Sequence, residues 1–134
     1  MIKFHYKPEA SIITGMVLRP VADVILEANR RKIEVAMYID SGADITTISL
    51  GLGIALGFKR SPEDKSLKIK GVSGSGVPYI LKEDNMILNG KKLKVRVAWT
   101  LIDEVPFLLG RLDIFNKFKI LFNEYRGIVT FTSI

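Results

Sequence analysis

Short apolar stretches, many alternating with polar residues and bounded by turn formers, run the length of the chain. Ile2, Phe4 and Tyr6 alternate with polar neighbours before Pro8, the period-two pattern of a half-buried strand. Apolar runs follow around Ile12 to Leu18 and from Val21 to Glu27, each read as a strand. Asn29 to Lys32 predicts a hairpin turn into a strand over Ile33 to Ile39, with Ile33, Val35 and Met37 on one face. Beyond Asp40-Ser41-Gly42, Ile45 to Ile48 reads as another short strand. Residues 49–57, with Leu52, Ala55 and Leu56, suit a short helix, weakened by Gly51 and Gly53. Ser61 to Ser66 is a charged loop.

Leu67 to Val72 and Val77 to Leu81 flank Ser73-Gly74-Ser75-Gly76, which predicts a hairpin with a glycine-rich tip. Asn89-Gly90 is the strongest short hairpin signal, joining Met86–Leu88 to a long strand over Leu93 to Leu101. Phe107 to Leu109 is an apolar strand ending at Gly110. A short helix is expected from Arg111 to Lys117, with Leu112 and Phe115 on one face. Strands Phe118–Phe122 and Ile128–Phe131 close the chain around a turn at Asn123 to Gly127. Regular short strands with two small helices predict a mainly β, barrel-like or sandwich architecture. No repeat, low-complexity tract or linker divides the 134 residues, and that length fits one domain.

Composition narrows the chemistry. With 48% hydrophobic and 25% charged residues the chain is globular in type. It has no cysteine and a single histidine, His5, which excludes disulfides, thiolate chemistry and any multi-histidine metal site within one chain. A Ser-His-Asp triad would have to run through His5, whose place on a terminal strand suits a structural role. Carboxylates, hydroxyls, lysines and backbone remain. No stretch approaches the roughly 18 apolar residues of a membrane span. Ala10 to Leu18, after Lys3 and Lys7, faintly imitates a signal peptide. Thr14 and Gly15 interrupt it, and no small-residue cleavage site follows. A cytoplasmic protein without membrane contact is therefore expected.

The net charge is +6, from 20 Lys and Arg against 14 Asp and Glu, a field able to draw anionic partners. Lys92, Lys94 and Arg96, however, alternate with Leu93, Val95 and Val97, the solvated face of a half-buried strand, and no aromatic residues interleave to stack on bases. No nucleic acid is expected. A nucleic-acid-binding domain would betray itself by strong salt dependence. The glycines at 51, 53 and 57 have the wrong spacing for a dinucleotide fingerprint, and no Gly-Lys-Ser/Thr follows any glycine run.

Among seven aspartates, Asp40 has an unusual place, at the end of the apolar strand Val35-Ala36-Met37-Tyr38-Ile39 and before Ser41-Gly42-Ala43. A carboxylate there must be desolvated, paired or functional. The Ser41 hydroxyl can fix the loop, and Gly42 lets a substrate backbone or a second chain come close. Alone, Asp-Ser-Gly is mostly an Asx-type turn between strands.

The longer segment Tyr38-Ile39-Asp40-Ser41-Gly42-Ala43-Asp44-Ile45-Thr46-Thr47-Ile48-Ser49 resembles the catalytic loop of retropepsin-like aspartic proteases. A glycine-rich hairpin, Lys70 to Tyr79, lies where that family has its flap, and Phe107-Leu108-Leu109-Gly110-Arg111 is similar to its hydrophobic-hydrophobic-Gly element. From about residue 20 onward, these elements follow the family's order. The resemblance implies a mainly β, closed-barrel-like acid protease fold with one or two short helices. It implies a catalytic Asp40-Ser41-Gly42 and substrate contacts from Ala43, Asp44, Val72, Ser73, Gly74, Ser75, Gly76, Pro106 and Leu108. Leu109, Gly110 and Arg111 would support the site.

One catalytic loop per chain implies a homodimer, in which Asp40 and its symmetry mate activate water to cleave a peptide or protein substrate. No metal or cofactor is required. Two further expectations follow from the family's strand arrangement and from β-propensity: an Asp44–Arg111 ion pair at the base of the cleft, and strand pairing between chains by Ile128 to Ile134. Trp99 is expected in the core or an interface. The rival reading is a non-catalytic module of the same fold that binds peptide or protein, though such a module has no need of the acid.

Overall fold

A computed structural model describes residues 1–70 and 76–134. Among the described residues, twelve strands and one α-helix follow the alternation of the sequence: β1 (Ile2–His5), β2 (Lys7–Ser11), β3 (Gly15–Arg19), β4 (Val21–Ala28), β5 (Arg31–Ile39), β6 (Thr46–Ile48), α1 (Leu50–Ala55), β7 (Leu67–Lys70), β8 (Gly76–Leu88), β9 (Lys91–Thr100), β10 (Leu108–Leu109), β11 (Phe118–Asn123) and β12 (Ile128–Ser133).

The largest sheet runs β4-β5-β10-β6-β9-β8-β7 and closes on itself where β8 also pairs with β4, opposing Ile25 to Ile87 and Leu26 to Met86. The result is a closed six-stranded barrel with β7 attached to the outside of β8. Closure removes the sheet edges that would otherwise expose unpaired backbone. Two tight hairpins hold the register. Asn89 and Gly90 have φ of 46° and 88°, and Asn29 and Arg30 have φ of 51° and 64°, the left-handed pairs of a turn whose twist matches its strands.

The core fills the barrel with Val24, Leu26, Met37, Ile48, Met86, Leu88, Val95 and Trp99. Lys92, Lys94 and Arg96 stay exposed while Leu93, Val95 and Val97 are buried. Trp99 belongs to this core. Its Nε1 donates to Leu50 O at 3.1 Å, and α1 packs beneath it through Gly53, where a Cβ would lie 2.0 Å from that nitrogen. Ser49 caps α1 by accepting from Leu52 N at 3.1 Å.

A separate sheet, β1-β12-β11, joins the two ends of the chain, with Phe131 edge-to-face against both Phe4 and Phe118. Its central strand is β12, paired on one side with β1 and on the other with β11. Within the chain Ile128 to Phe131 is thus paired on both sides, which leaves only Thr132 to Ile134 of the expected interface segment with an open edge among the described residues.

Three local expectations also change. The run Ile12 to Leu18 is not one strand. Ser11 pairs with Gly15, and Ile12 to Thr14 form the turn of the β2–β3 hairpin, stabilised by the Ser11 hydroxyl accepting from Ile13 N at 3.2 Å. The segments Val77–Leu81 and Met86–Leu88 are one continuous strand, β8. The helix expected from Arg111 shrinks to a 3-10 turn at Phe115–Lys117, because Asp113 adopts φ 66° and its carboxylate is bound outside the helix.

Candidate active site

Two strands deliver Asp40 to its place. β10 lies parallel to β5 and antiparallel to β6, opposing Leu108 to Tyr38 on one side and to Thr47 on the other. The Asp40-Ser41-Gly42 loop crosses from β5 to β6 around this inserted strand. Backbone bonds fix it on both flanks: Asp40 N donates to Leu109 O at 3.0 Å, Ala43 N to Asp40 O at 3.2 Å, and Arg111 N to Ala43 O at 2.9 Å. Gly110, itself buried, donates its N–H to the Thr46 hydroxyl at 3.1 Å. A Cβ on Gly110 would sit 2.4 Å from the Ile45 carbonyl carbon, so the two strands can come this close only at glycine.

The Asp40 carboxylate is half-buried, and its Oδ1 accepts from Gly42 N at 2.8 Å. A Cβ on Gly42 would approach that same oxygen to 3.2 Å. The loop therefore folds its own amide under one carboxylate oxygen, a charge-assisted bond that fixes the rotamer. Asp40 opens on a cavity of about 440 Å³ walled by Glu9, Arg19, Pro20, Tyr38, Ile39, Pro106 and Leu108. Through Glu9, Tyr38 and Pro106 it continues into a more apolar cavity of about 540 Å³, reaching Pro8, Val21, Val105 and Phe107. The Tyr38 hydroxyl donates to Glu9 Oε2 at 2.8 Å, and that bond, with some burial, raises the phenol above its ordinary range. Arg19 Nε lies 3.5 Å from the same Glu9 oxygen.

The residues singled out in the sequence divide into groups. Asp40, Pro106 and Leu108 share the cavity, while Leu109 and Gly110 lie buried behind the loop. Ser41 and Gly42 are exposed on the loop and Ala43 is half-buried, whereas Asp44 faces a different cavity with Arg96, Arg111 and Asp113. Gly76 opens β8 opposite Lys70. Val72, Ser73, Gly74 and Ser75 lie outside the described residues.

The Asp44–Arg111 ion pair is not formed. Both side chains are exposed, no contact within 4.0 Å joins them, and the two segments meet through backbone instead, Leu112 N donating to Asp44 O at 2.9 Å. The bidentate pair in this region is Arg96 with Asp113, at 2.9 and 2.8 Å, with Arg96 N donating to the same carboxylate at 2.9 Å. These bonds hold the Asp113 carboxyl down at about 2. Glu9, Arg19 and Tyr38 were not singled out as cavity walls. Nothing in the local pattern of a terminal hairpin marks it as lining a site formed by residues far along the chain.

A larger opening of about 730 Å³ lies elsewhere, between the β4–β5 turn, the end of α1 and β8, and Asp84 is among its lining residues. Asp84 is only 4% exposed, and neither carboxylate oxygen has a hydrogen-bond partner among the described residues. Burial pushes its carboxyl up to about 7.

No family model matches the chain, and no curated protein matches it either. Among solved structures, EIAV protease complexed with the inhibitor HBY-793 is similar, with a TM-score of 0.55 and 22% sequence identity over 69% of this chain and 82% of that one. The fold is that of a retroviral protease. The inhibitor named there belongs to that protein. For this chain the likeness supports the closed β-barrel with its short helix.

Proposed function

We propose that this chain is an aspartic endopeptidase that works as a homodimer, its 134 residues forming one catalytic domain. The observation that carries this reading is Asp40 itself. A half-buried carboxylate, fixed by the Gly42 amide and open to a cavity, ends the barrel strand that flanks β10. The retroviral protease fold supports it.

In the dimer, Asp40 and its mate lie about 3 Å apart and share one proton, because two carboxylates that close cannot both ionise. The ionised member takes a proton from a bound water as the water oxygen attacks the scissile carbonyl carbon. The neutral member gives its proton to the carbonyl oxygen. On collapse of the resulting gem-diol the C–N bond breaks, the newly protonated carboxyl gives its proton to the departing amine, and the newly ionised one takes back a hydroxyl proton, which restores the dyad. The apolar cavity beside Asp40 holds an extended substrate side chain.

The test is cleavage of a diverse peptide library across pH by wild type and Asp40→Asn. Wild type cuts with a bell-shaped acidic profile, and the variant binds peptide without cutting. Undiminished cleavage by the variant removes Asp40 from the mechanism. Peptide binding with no cleavage by wild type at any pH makes the chain a binding module.

A further inference from the structure

The barrel closes through a short seam. β8 meets β4 in three opposed pairs, Ile25 with Ile87, Leu26 with Met86 and Glu27 with Asn85. The next pair in register would be Ala28 with Asp84, and it is not formed. The seam ends there, at the cavity of about 730 Å³ that both Glu27 and Asp84 line.

The two acids are held in opposite ways. Lys92 Nζ and Asn85 Nδ2 donate to Glu27 Oε1 at 2.9 and 3.4 Å, and Lys32 Nζ lies 3.4 Å from its Oε2. The Lys92 hydrogen bond, opposed by desolvation and reinforced by Lys32, holds the Glu27 carboxyl below its ordinary value. Glu27 thus ties β4 to β5, β8 and β9 as an anion. Asp84 has no hydrogen-bond partner among the described residues, and Val95 opposes it on β9. The charged groups that share its cavity are engaged elsewhere or do not reach it. Arg31 donates to Ile54 O and Ala55 O, Lys82 to Lys59 O and Asp64, and Glu83 pairs with Lys94, while Lys59 makes no bond to Asp84. Burial without a donor favours the neutral acid and pushes the Asp84 carboxyl up to about 7. An ionised Asp84 regains hydration only where β8 parts from β4 and water enters from the cavity.

We propose that the β4–β8 seam is a pH-controlled latch of the barrel, held shut by the Glu27 bridges while Asp84 is protonated and released locally when Asp84 ionises. The latch stands whether or not the chain cleaves peptides. Asp84 favours the open seam increasingly as pH rises from its ordinary 3.8 towards 7, and the effect then levels off. Glu27 withdraws its bridges as pH falls below its ordinary 4.5. The seam is therefore tightest near about pH 4 and loosens towards neutrality.

Native-state hydrogen exchange of Ile25 to Glu27 and Asn85 to Ile87, at pH 4 and pH 7.5 and in a series of low urea concentrations, tests it. After correction for intrinsic rates, protection at the seam is expected to fall by about 500-fold between the two pH values. The loss should depend little on urea, because a local opening exposes little surface. Asp84→Asn is expected to cut the change to less than about threefold, and Asp84→Leu serves if a buried Asn amide prevents folding. Equal protection at the two pH values, or an undiminished loss in the folded Asp84 variant, overturns the latch. A loss that depends on urea as steeply as exchange of the most protected amides means that Asp84 acts through global unfolding alone. That result overturns the latch and leaves the buried titration of Asp84 standing.

Discussion

Two carboxylates, Asp40 and Asp84, sit in the same barrel under opposite conditions. Asp40 lies at a strand end, half-buried, with a backbone amide on one oxygen and an open cavity before it. Asp84 lies in the middle of β8, opposite Val95, almost wholly buried and with no hydrogen-bond partner among the described residues. Desolvation alone raises Asp84 to about 7. A perturbed acid is often a sign of function, yet Asp84 is the less able of the two to meet a substrate. Access and a fixed donor, rather than burial, qualify a carboxylate for hydrolysis.

The largest expected effect breaks the comparison at Asp40. Asp40→Asn is expected to lower the cleavage rate by about 10²–10⁴-fold with the unfolding midpoint unchanged, whereas Asp84→Asn leaves the rate per folded molecule near that of wild type. Initial rates, normalised to the folded fraction, check both.

Stability reverses the ranking. Below its ordinary value of 3.8 Asp84 is protonated in the folded and unfolded states alike. As pH rises from 3.8 towards 7 only the unfolded state releases the proton, so folding weakens, and above 7 the loss levels off. The difference corresponds to about 4 kcal/mol. Urea unfolding at pH 4 and pH 8 should show that loss in wild type and little of it in Asp84→Asn. Parallel pH dependences would mean that Asp84 is not buried as described.

Gly110→Ala comes next, at about 3 kcal/mol, because its new methyl meets Ile45 backbone rather than a movable side chain. It should also lower the cleavage rate of the molecules that remain folded, since the same strand holds the Asp40 loop. Loss of the Arg96–Asp113 pair is smaller. Both partners are partly solvated, so Asp113→Ala should cost about 1 kcal/mol near neutral pH. That contribution is present above 3.8 and fades as pH falls towards 2. Arg111→Ala, which removes an exposed cation with no ion-pair partner among the described residues, should change stability by less than about 0.5 kcal/mol.

The barrel was legible because its strands alternate cleanly, as in Leu93, Val95 and Val97, and because Asn89-Gly90 and Asn29 mark its hairpins. Asp40 was legible for a related reason, being a charge set at the end of an apolar strand. Asp84 was hidden in Lys82-Glu83-Asp84-Asn85, four polar residues that look like a break. The strand runs through them because β9 supplies an unbroken partner from Thr100 back to Lys91, and hydrogen bonding to a neighbour outweighs local polarity. Ile12 and Ile13 misled in the opposite sense, since an apolar residue exposed in a turn has the same signature as one buried in a strand. The missing Asp44–Arg111 pair shows a further limit. The strand neighbourhood is right, but the contact is made by backbone, and side-chain pairing at an exposed edge is not encoded in spacing.

Glu9 is the other carboxylate lining the Asp40 cavity, and it is occupied by Tyr38 and Arg19. The central claim is that the second acid is instead Asp40 of another chain. Mixing wild type with Asp40→Asn at constant total concentration, with time for subunits to exchange, tests this directly through the cleavage rate. A dyad shared between chains predicts a rate that follows the square of the wild-type fraction, about one quarter of full activity at equal amounts. A rate that falls linearly to about one half would mean that each chain carries its own complete site, and would contradict the account.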